Sequence, residues 1–164
     1  MGNQYDVRTV ANLVIGSGAS AYNAANRLAD LDEDVVIVTE NRLAGTSRNT
    51  GSDKQTYYKL TLSGGEPDSV REMAQTLFDG KAVDGDICLA EAANSVRCFM
   101  NLVEIGVAFP TNRYGEYVGY KTDHDPAMRA TSAGPLTSKS MTEQLEKEVV
   151  RKGIEILDKH MVIR

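Results

Sequence analysis

The sequence is poor in the features that mark several protein classes. Its 164 residues carry 18 Lys and Arg against 23 Asp and Glu, a formal charge of −5. A broad nucleic-acid-binding face needs a clustered surplus of cations, so no nucleic-acid partner is expected. No apolar run approaches the roughly 20 residues of a membrane helix, so no membrane segment is expected. The opening residues, Met1-Gly2-Asn3-Gln4-Tyr5-Asp6, have neither a basic stretch nor an apolar core of the secretory kind. Gly2 starts like a myristoylation site, but Asp6 stands where that motif wants Ser or Thr. The two cysteines, Cys88 and Cys98, are ten residues apart, which suits neither a zinc pair nor a redox CxxC. Buried thiols in a cytoplasmic protein are the expectation. Repeats and low-complexity linkers are absent. Hydrophobic residues at 41% and charged residues at 25% are ordinary for a globular domain, which excludes wholesale disorder.

Glycine is plentiful, at 14 residues, and its placement is informative. The apolar run Val10, Ala11, Leu13, Val14, Ile15 ends abruptly at Gly16-Ser17-Gly18-Ala19-Ser20-Ala21, which predicts a short strand buried on both faces. Ala21, Ala24, Ala25 and Leu28 then recur at helical spacing, a small-residue stripe suited to close packing on a sheet. Val35-Val36-Ile37-Val38 predicts a second strand, ending in Thr39-Glu40. A strand, glycine turn, helix and strand within about thirty residues is the context a dinucleotide fingerprint requires. Gly16 permits the tight turn, Gly18 lets backbone approach a pyrophosphate, and Ala21 is the third small position. The N–H groups from Gly18 to Ala21 lie at the positive end of the helix dipole and suit phosphate. Glu40, 24 residues after Gly16, can accept both hydroxyls of an adenosine ribose. This unit alone leaves NAD and FAD both open.

Residues 41–56 are crowded with small and hydroxyl-bearing side chains, among them Asn41, Gly45, Thr46, Ser47, Thr50, Gly51 and Ser52. Such a segment predicts backbone laid along an extended cofactor. Val14-Ile15-Gly16-Ser17-Gly18-Ala19, Glu40, Gly45-Thr46-Ser47 and Thr50-Gly51 together resemble the flavoprotein subunits of fumarate reductase and succinate dehydrogenase. L-aspartate oxidase and adenylylsulfate reductase flavoproteins share the resemblance, which continues through Gly106-Val107-Ala108-Phe109, Arg129 and Gly134 to Gly153-Ile154-Glu155-Ile156-Leu157.

The resemblance implies FAD as cofactor. Gly16, Ser17, Gly18, Ala19 and Ser20 would hold its pyrophosphate, and Glu40 with Asn41 its adenosine ribose. Gly45, Thr46 and Ser47 would line the phosphate and ribityl region, and Thr50, Gly51 and Ser52 would approach the isoalloxazine. Several membrane-bound relatives attach FAD through a histidine where Gly45 stands, so non-covalent flavin is implied. Relatives also show a Gly-Gly pair followed by apolar residues, whereas Gly51 here leads into Ser52-Asp53-Lys54-Gln55. The activity implied for the full-length protein is hydride transfer between flavin and a small anionic substrate, with an iron–sulfur electron-transfer subunit as partner in some relatives. The capping domain and C-terminal segments that carry catalysis in the family follow the matched region, so a truncated N-terminal part is expected, with no catalytic residue of its own. A stand-alone, non-catalytic nucleotide-binding module is the alternative.

Further along, Ser69 and Glu72 predict a capping box for a helix with Val70, Met73, Ala74 and Leu77 on one face, stopped by Gly80. Glu66 and Pro67 precede it. A longer helix is expected over 87–105, with Leu89, Ala92, Ala93, Val96, Phe99, Met100 and Val103 inward and Gly106 as its stop. A last helix over 137–152 places Met141, Leu145 and Val149 on one stripe and pairs Glu143 with Lys147 on its surface. Residues 154–157 and 161–163 read as short strands. The loop from Asn112 to Pro126 holds Arg113, three tyrosines and Asp123-His124-Asp125. Arg113 or Arg129 is the candidate partner for an anionic substrate, and the Asp-His-Asp run reads as turn chemistry ahead of a metal site. His160 is expected at the surface. The fold class expected is α/β: an incomplete Rossmann-like βαβ FAD-binding domain over residues 1–60, a helical insertion and substrate-side loop over 61–135, and a return helix and strands over 136–164.

Overall fold

A computed structural model describes residues 7–53, 55–64, 67–123 and 125–163. The expectations that rest on Gly2, Asp6, Lys54, Glu66 and His124 lie outside the described residues. The chain divides into two units, one of residues 1–50 and 142–164 and the other of residues 51–141.

The first unit is built on the β-branched run of residues 35–38. Strand β2 (Val35–Thr39) lies between β1 (Asn12–Ile15) and β5 (Glu155–Asp158), and both pairings are parallel. Helix α1 (Ala19–Ala29) makes the crossover between β1 and β2 and packs on both. The one-turn helix α2 (Thr46–Asn49) forms within the segment of small and hydroxyl-bearing residues, where Arg48 N–H and Asn49 N–H both return to the carbonyl of Gly45.

The expectation that β1 is buried on both faces is not met. Among the described residues β1 pairs only with β2, and Leu13 and Ile15 are 53% and 60% exposed, while Val36 and Ile37 of the central strand are buried. The stripe on α1 is also rotated. Tyr22, Ala25 and Asn26 are the buried residues, and Ala24 faces solvent. Two polar side chains take the inner face because each finds a partner on α5 (Thr137–Arg151): the Tyr22 hydroxyl donates to Glu146 at 3.3 Å, and the Asn26 amide to the Leu145 carbonyl at 3.0 Å. Within this unit Leu145 and Val149 of α5 are buried, with Thr142 beside them. Gly153, at φ 70°, turns the chain from α5 into β5. Residues 161–163 do not form the expected strand.

The second unit pairs α3 (Val70–Asp79) with α4 (Gly85–Glu104). The Ser69 hydroxyl caps α3 by accepting from Glu72 N–H at 3.2 Å and donates to the Glu72 carboxylate at 3.1 Å, while the Ser69 N–H, which a full capping box would give to Glu72, donates to Asp68 at 2.9 Å. Met73, Ala74, Cys88 and Ala92 form a buried cluster against Tyr58, Leu60, Val70 and Leu77. The buried face of α4 is Cys88, Ala92, Ser95, Phe99 and Leu102, one position away from much of the expected stripe. Leu89 is half exposed. Ser95 sets this rotation, because its hydroxyl accepts from Leu60 N–H at 3.2 Å and donates to the Ala92 carbonyl at 2.9 Å. The two-residue strands β3 (Tyr57–Tyr58) and β4 (Ala130–Thr131) pair antiparallel. Cys88 and Cys98 are both free thiols.

Candidate functional site

In the first unit the carboxyl ends of β1, β2 and β5 converge on the glycine-rich turn. Gly16 has φ 110°, a conformation that favours glycine, and its N–H donates to Val38 O at 2.8 Å. Ser17 is buried: its hydroxyl accepts from Thr39 at 3.2 Å and donates to the Asn41 carbonyl at 3.1 Å. The turn after β1 is thereby tied to the turn after β2.

Gly18 is the N-cap of α1, and no side chain caps the helix there. The first turn of a helix leaves its N–H groups without intrahelical partners, and they sit at the positive end of the dipole. Gly18 has φ −85° and ψ 176°, which any residue adopts. A Cβ built on it would touch only the Ser47 hydroxyl, at 3.4 Å. Neither conformation nor the protein's own packing therefore requires glycine at this position. Ala19 and Ser20 follow in the first turn.

Gly45 differs. A Cβ on it would fall 2.8 Å from the Ser17 carbonyl oxygen and 3.2 Å from Gly18 N, so the loop of Gly45, Thr46 and Ser47 lies against the glycine turn. The Asn41 side-chain oxygen accepts from Leu43 N–H at 2.9 Å, which organises the start of this loop. Thr50 is the C-cap of α2.

Glu40 is exposed at the end of β2 and borders a cavity of about 310 Å³ lined by Ile15, Gly16, Val38, Thr39, Glu40, His160, Met161 and Val162. That volume is at the lower end of small-molecule pockets, about 300–1,000 Å³, and suits the nucleoside part of a larger ligand. His160 N–H donates to the Thr39 carbonyl at 3.0 Å, and its Nδ1 lies 2.6 Å from the Asp158 carbonyl oxygen. His160, Met161 and Val162 carry no motif and were not expected here. The signal available was topological: ligands of doubly wound sheets bind beyond the carboxyl ends of the strands, and these residues directly follow the third strand.

The structure thus brings Gly16, Ser17, Gly18, Ala19, Ser20, Glu40, Asn41, Gly45, Thr46, Ser47 and Thr50 into the first unit. Gly51 and Ser52 belong to the second. There Ser52 N–H donates to the Pro135 carbonyl at 3.0 Å, and a Cβ on Gly51 would fall 2.9 Å from the Leu136 side chain.

The family described as FAD binding domain matches residues 12–164. The chain belongs to that family. FAD is its cofactor, and its fold is the α/β FAD-binding fold. The open conformation of a flavocytochrome c3 fumarate reductase shares the fold at a TM-score of 0.69 and 15% identity, over 94% of this chain and 28% of the other. The FrdA chain of E. coli quinol fumarate reductase does so at 0.75 and 14%, over 93% and 26%. Adenylylsulfate reductase from Archaeoglobus fulgidus does so at 0.61 and 16%, over 92% and 24%. The FAD-binding chain described here spans only about a quarter of the length of these structures. No curated protein matches the sequence.

One expectation about the second unit is corrected. Arg129 is not open to an anionic substrate. Its guanidinium is buried, meets both Asp68 oxygens at 2.7 and 3.0 Å, and donates to Thr76 at 2.9 Å, Tyr58 at 3.1 Å and Asp125 at 3.3 Å. The Asp68 hydrogen bonds push its pKa further up. Burial works to raise Asp68, but Arg129 and the N–H groups of Thr61 and Ser69 together hold it below the usual carboxylate value. In the first unit Glu143 of α5 faces Arg48 at 3.4 Å.

Arg113 is exposed and stacks on Tyr114 at 4.6 Å from the ring centroid. Asp125 is engaged in a turn, accepting from Ala127 N–H at 3.0 Å, as well as in the Arg129 pair. Sequence patterning did not single out Lys59, which is fully buried with its Nζ 4.9 Å above the Phe99 ring and 3.4 Å from the Leu60 carbonyl. Burial pushes its pKa below the usual lysine value. Among the described residues no helix is long and apolar enough to cross a membrane.

Proposed function

We propose that FAD lies with its pyrophosphate over the start of α1, on the backbone of Gly16, Ser17, Gly18, Ala19 and Ser20, and with its adenosine in the cleft between Glu40 and His160–Val162. The observation that carries this is Gly18. Its backbone suits any residue and its surroundings leave space for a Cβ, so a ligand at the uncapped helix start gives the glycine its purpose. Glu40 accepts the two ribose hydroxyls and disfavours a 2′-phosphate there. Thr46 and Ser47 stand beside Gly18 for the ribityl side. The assignment of Thr50, Gly51 and Ser52 to the isoalloxazine rests on the sequence resemblance alone.

Non-covalent attachment is supported by Gly45. A β-carbon there would meet backbone at 2.8 Å, so a flavin-linking histidine has no place without moving the turn. Bound FAD supplies hydride chemistry at its isoalloxazine, and in the whole protein we assign that chemistry to a small anionic substrate, with electrons passed by an iron–sulfur partner. This chain's share is to bind and orient the cofactor. Arg129 takes no part in holding a substrate, since it is held by Asp68 and Asp125.

Titration of the 164-residue chain with FAD, followed by flavin fluorescence, tests the proposal. Saturable binding on the order of micromolar, with no fumarate or succinate turnover, is expected. Preference for NAD over FAD contradicts it and favours a stand-alone nucleotide module.

A further inference from the structure

We infer that Glu146 is a positioning residue for the Gly45-Thr46-Ser47 loop, setting FAD affinity without touching the cofactor; this rests on the FAD site proposed above. One Glu146 oxygen meets Arg42 Nε and accepts from the Tyr22 hydroxyl at 3.3 Å, and the other meets the Arg48 guanidinium. Arg42 and Arg48 stand three residues before and three residues after Gly45, so a single carboxylate on α5 grips both ends of the loop. Glu143, one turn earlier, supports Arg48 at 3.4 Å, and Arg42 N–H donates to Asp158 at 2.8 Å. The side chains of Glu146 and Arg48 are only 12% and 10% exposed. Between the two arginines the loop presses on Ser17 and Gly18, where Gly45 admits no Cβ.

The clamp has a second consequence. Both arginines next to the anion site are turned to carboxylates, so the pyrophosphate is left to the backbone N–H groups of α1. Glu146 serves by fixing the loop before FAD arrives, which removes an ordering cost from binding.

Two substitutions separate this from simple charge attraction, because they break the same clamp while changing charge in opposite directions. Glu146→Gln and Arg48→Met are compared with wild type for FAD affinity, below the melting temperature of each variant, and for amide hydrogen exchange at residues 44–49 without FAD. Both variants are expected to bind FAD about tenfold or more weakly and to exchange faster in that loop. Unchanged affinity, or tighter binding by Glu146→Gln alongside weaker binding by Arg48→Met, overturns the inference. If wild type takes up no FAD, the cofactor site itself fails. Unaltered exchange at residues 44–49 in Glu146→Gln overturns the clamp whether or not FAD binds.

Discussion

Gly45 lies so close to Ser17 that a β-carbon added to it would sit 2.8 Å from the Ser17 carbonyl oxygen. The contact is backbone on backbone, so no side-chain rotation relieves it. Gly45→Ala is expected to lower the melting temperature, by the equivalent of about 1–3 kcal/mol for overpacking, and to weaken FAD binding together with it. A thermal melt and an FAD titration on the same sample check this; an unchanged melt shows that the loop has room to move.

Arg129 and Asp68 form a buried bidentate pair in the second unit. Removing one partner leaves a charge without compensation, at a cost of about 3–5 kcal/mol. Arg129→Met is expected to fall in that range in urea denaturation. Arg129→Lys keeps the charge but not the planar fork, so it recovers only part of the loss.

The same pair sets a pH dependence. Asp68 has its pKa lowered in the folded chain, so the unfolded chain takes up its proton first as pH falls. The stabilisation is complete above the ordinary carboxylate value of about 4 and is lost as pH drops through the lower folded value. Urea midpoints measured downward from pH 6 are expected to fall more steeply for wild type than for Asp68→Asn.

Lys59 has the opposite sign. Its folded pKa is lowered by burial, so the unfolded chain binds more protons between that value and about 10.4, and stability rises with pH through this window. Lys59→Met replaces a buried amine with an apolar side chain of similar reach. It is expected to raise the melting temperature at neutral pH and to remove the alkaline gain.

How far the sequence discloses this chain depends on the range of the interactions involved. The β1–α1–β2 unit, Gly16 and Gly18, the Ser69–Glu72 box and the Gly153 turn are set within a few residues of each other, and their patterns are visible in one pass. The inner faces of α1 and α4 are not. Tyr22, Asn26 and Ser95 are polar, and they are buried because Glu146, Leu145 and Leu60 receive them from far along the chain. Arg129 looked like a free cation for the same reason, since Asp68 stands 61 residues away. His160–Val162 come to line the cavity beside Glu40 only because β5 lies next to β2.

The most direct test of the FAD site is Gly18→Val. The extended backbone at residue 18 accepts valine, and its β-carbon meets only the Ser47 hydroxyl at 3.4 Å, so folding is expected to survive. Valine would nevertheless fill the approach to the start of α1. FAD titrations of wild type and Gly18→Val, each with a thermal melt, are expected to show saturable binding by wild type. The variant is expected to bind at least tenfold more weakly, with a melting temperature lowered by no more than the loss of a favourable N-cap residue, about 1 kcal/mol. Equal FAD affinity in the two proteins would contradict the account.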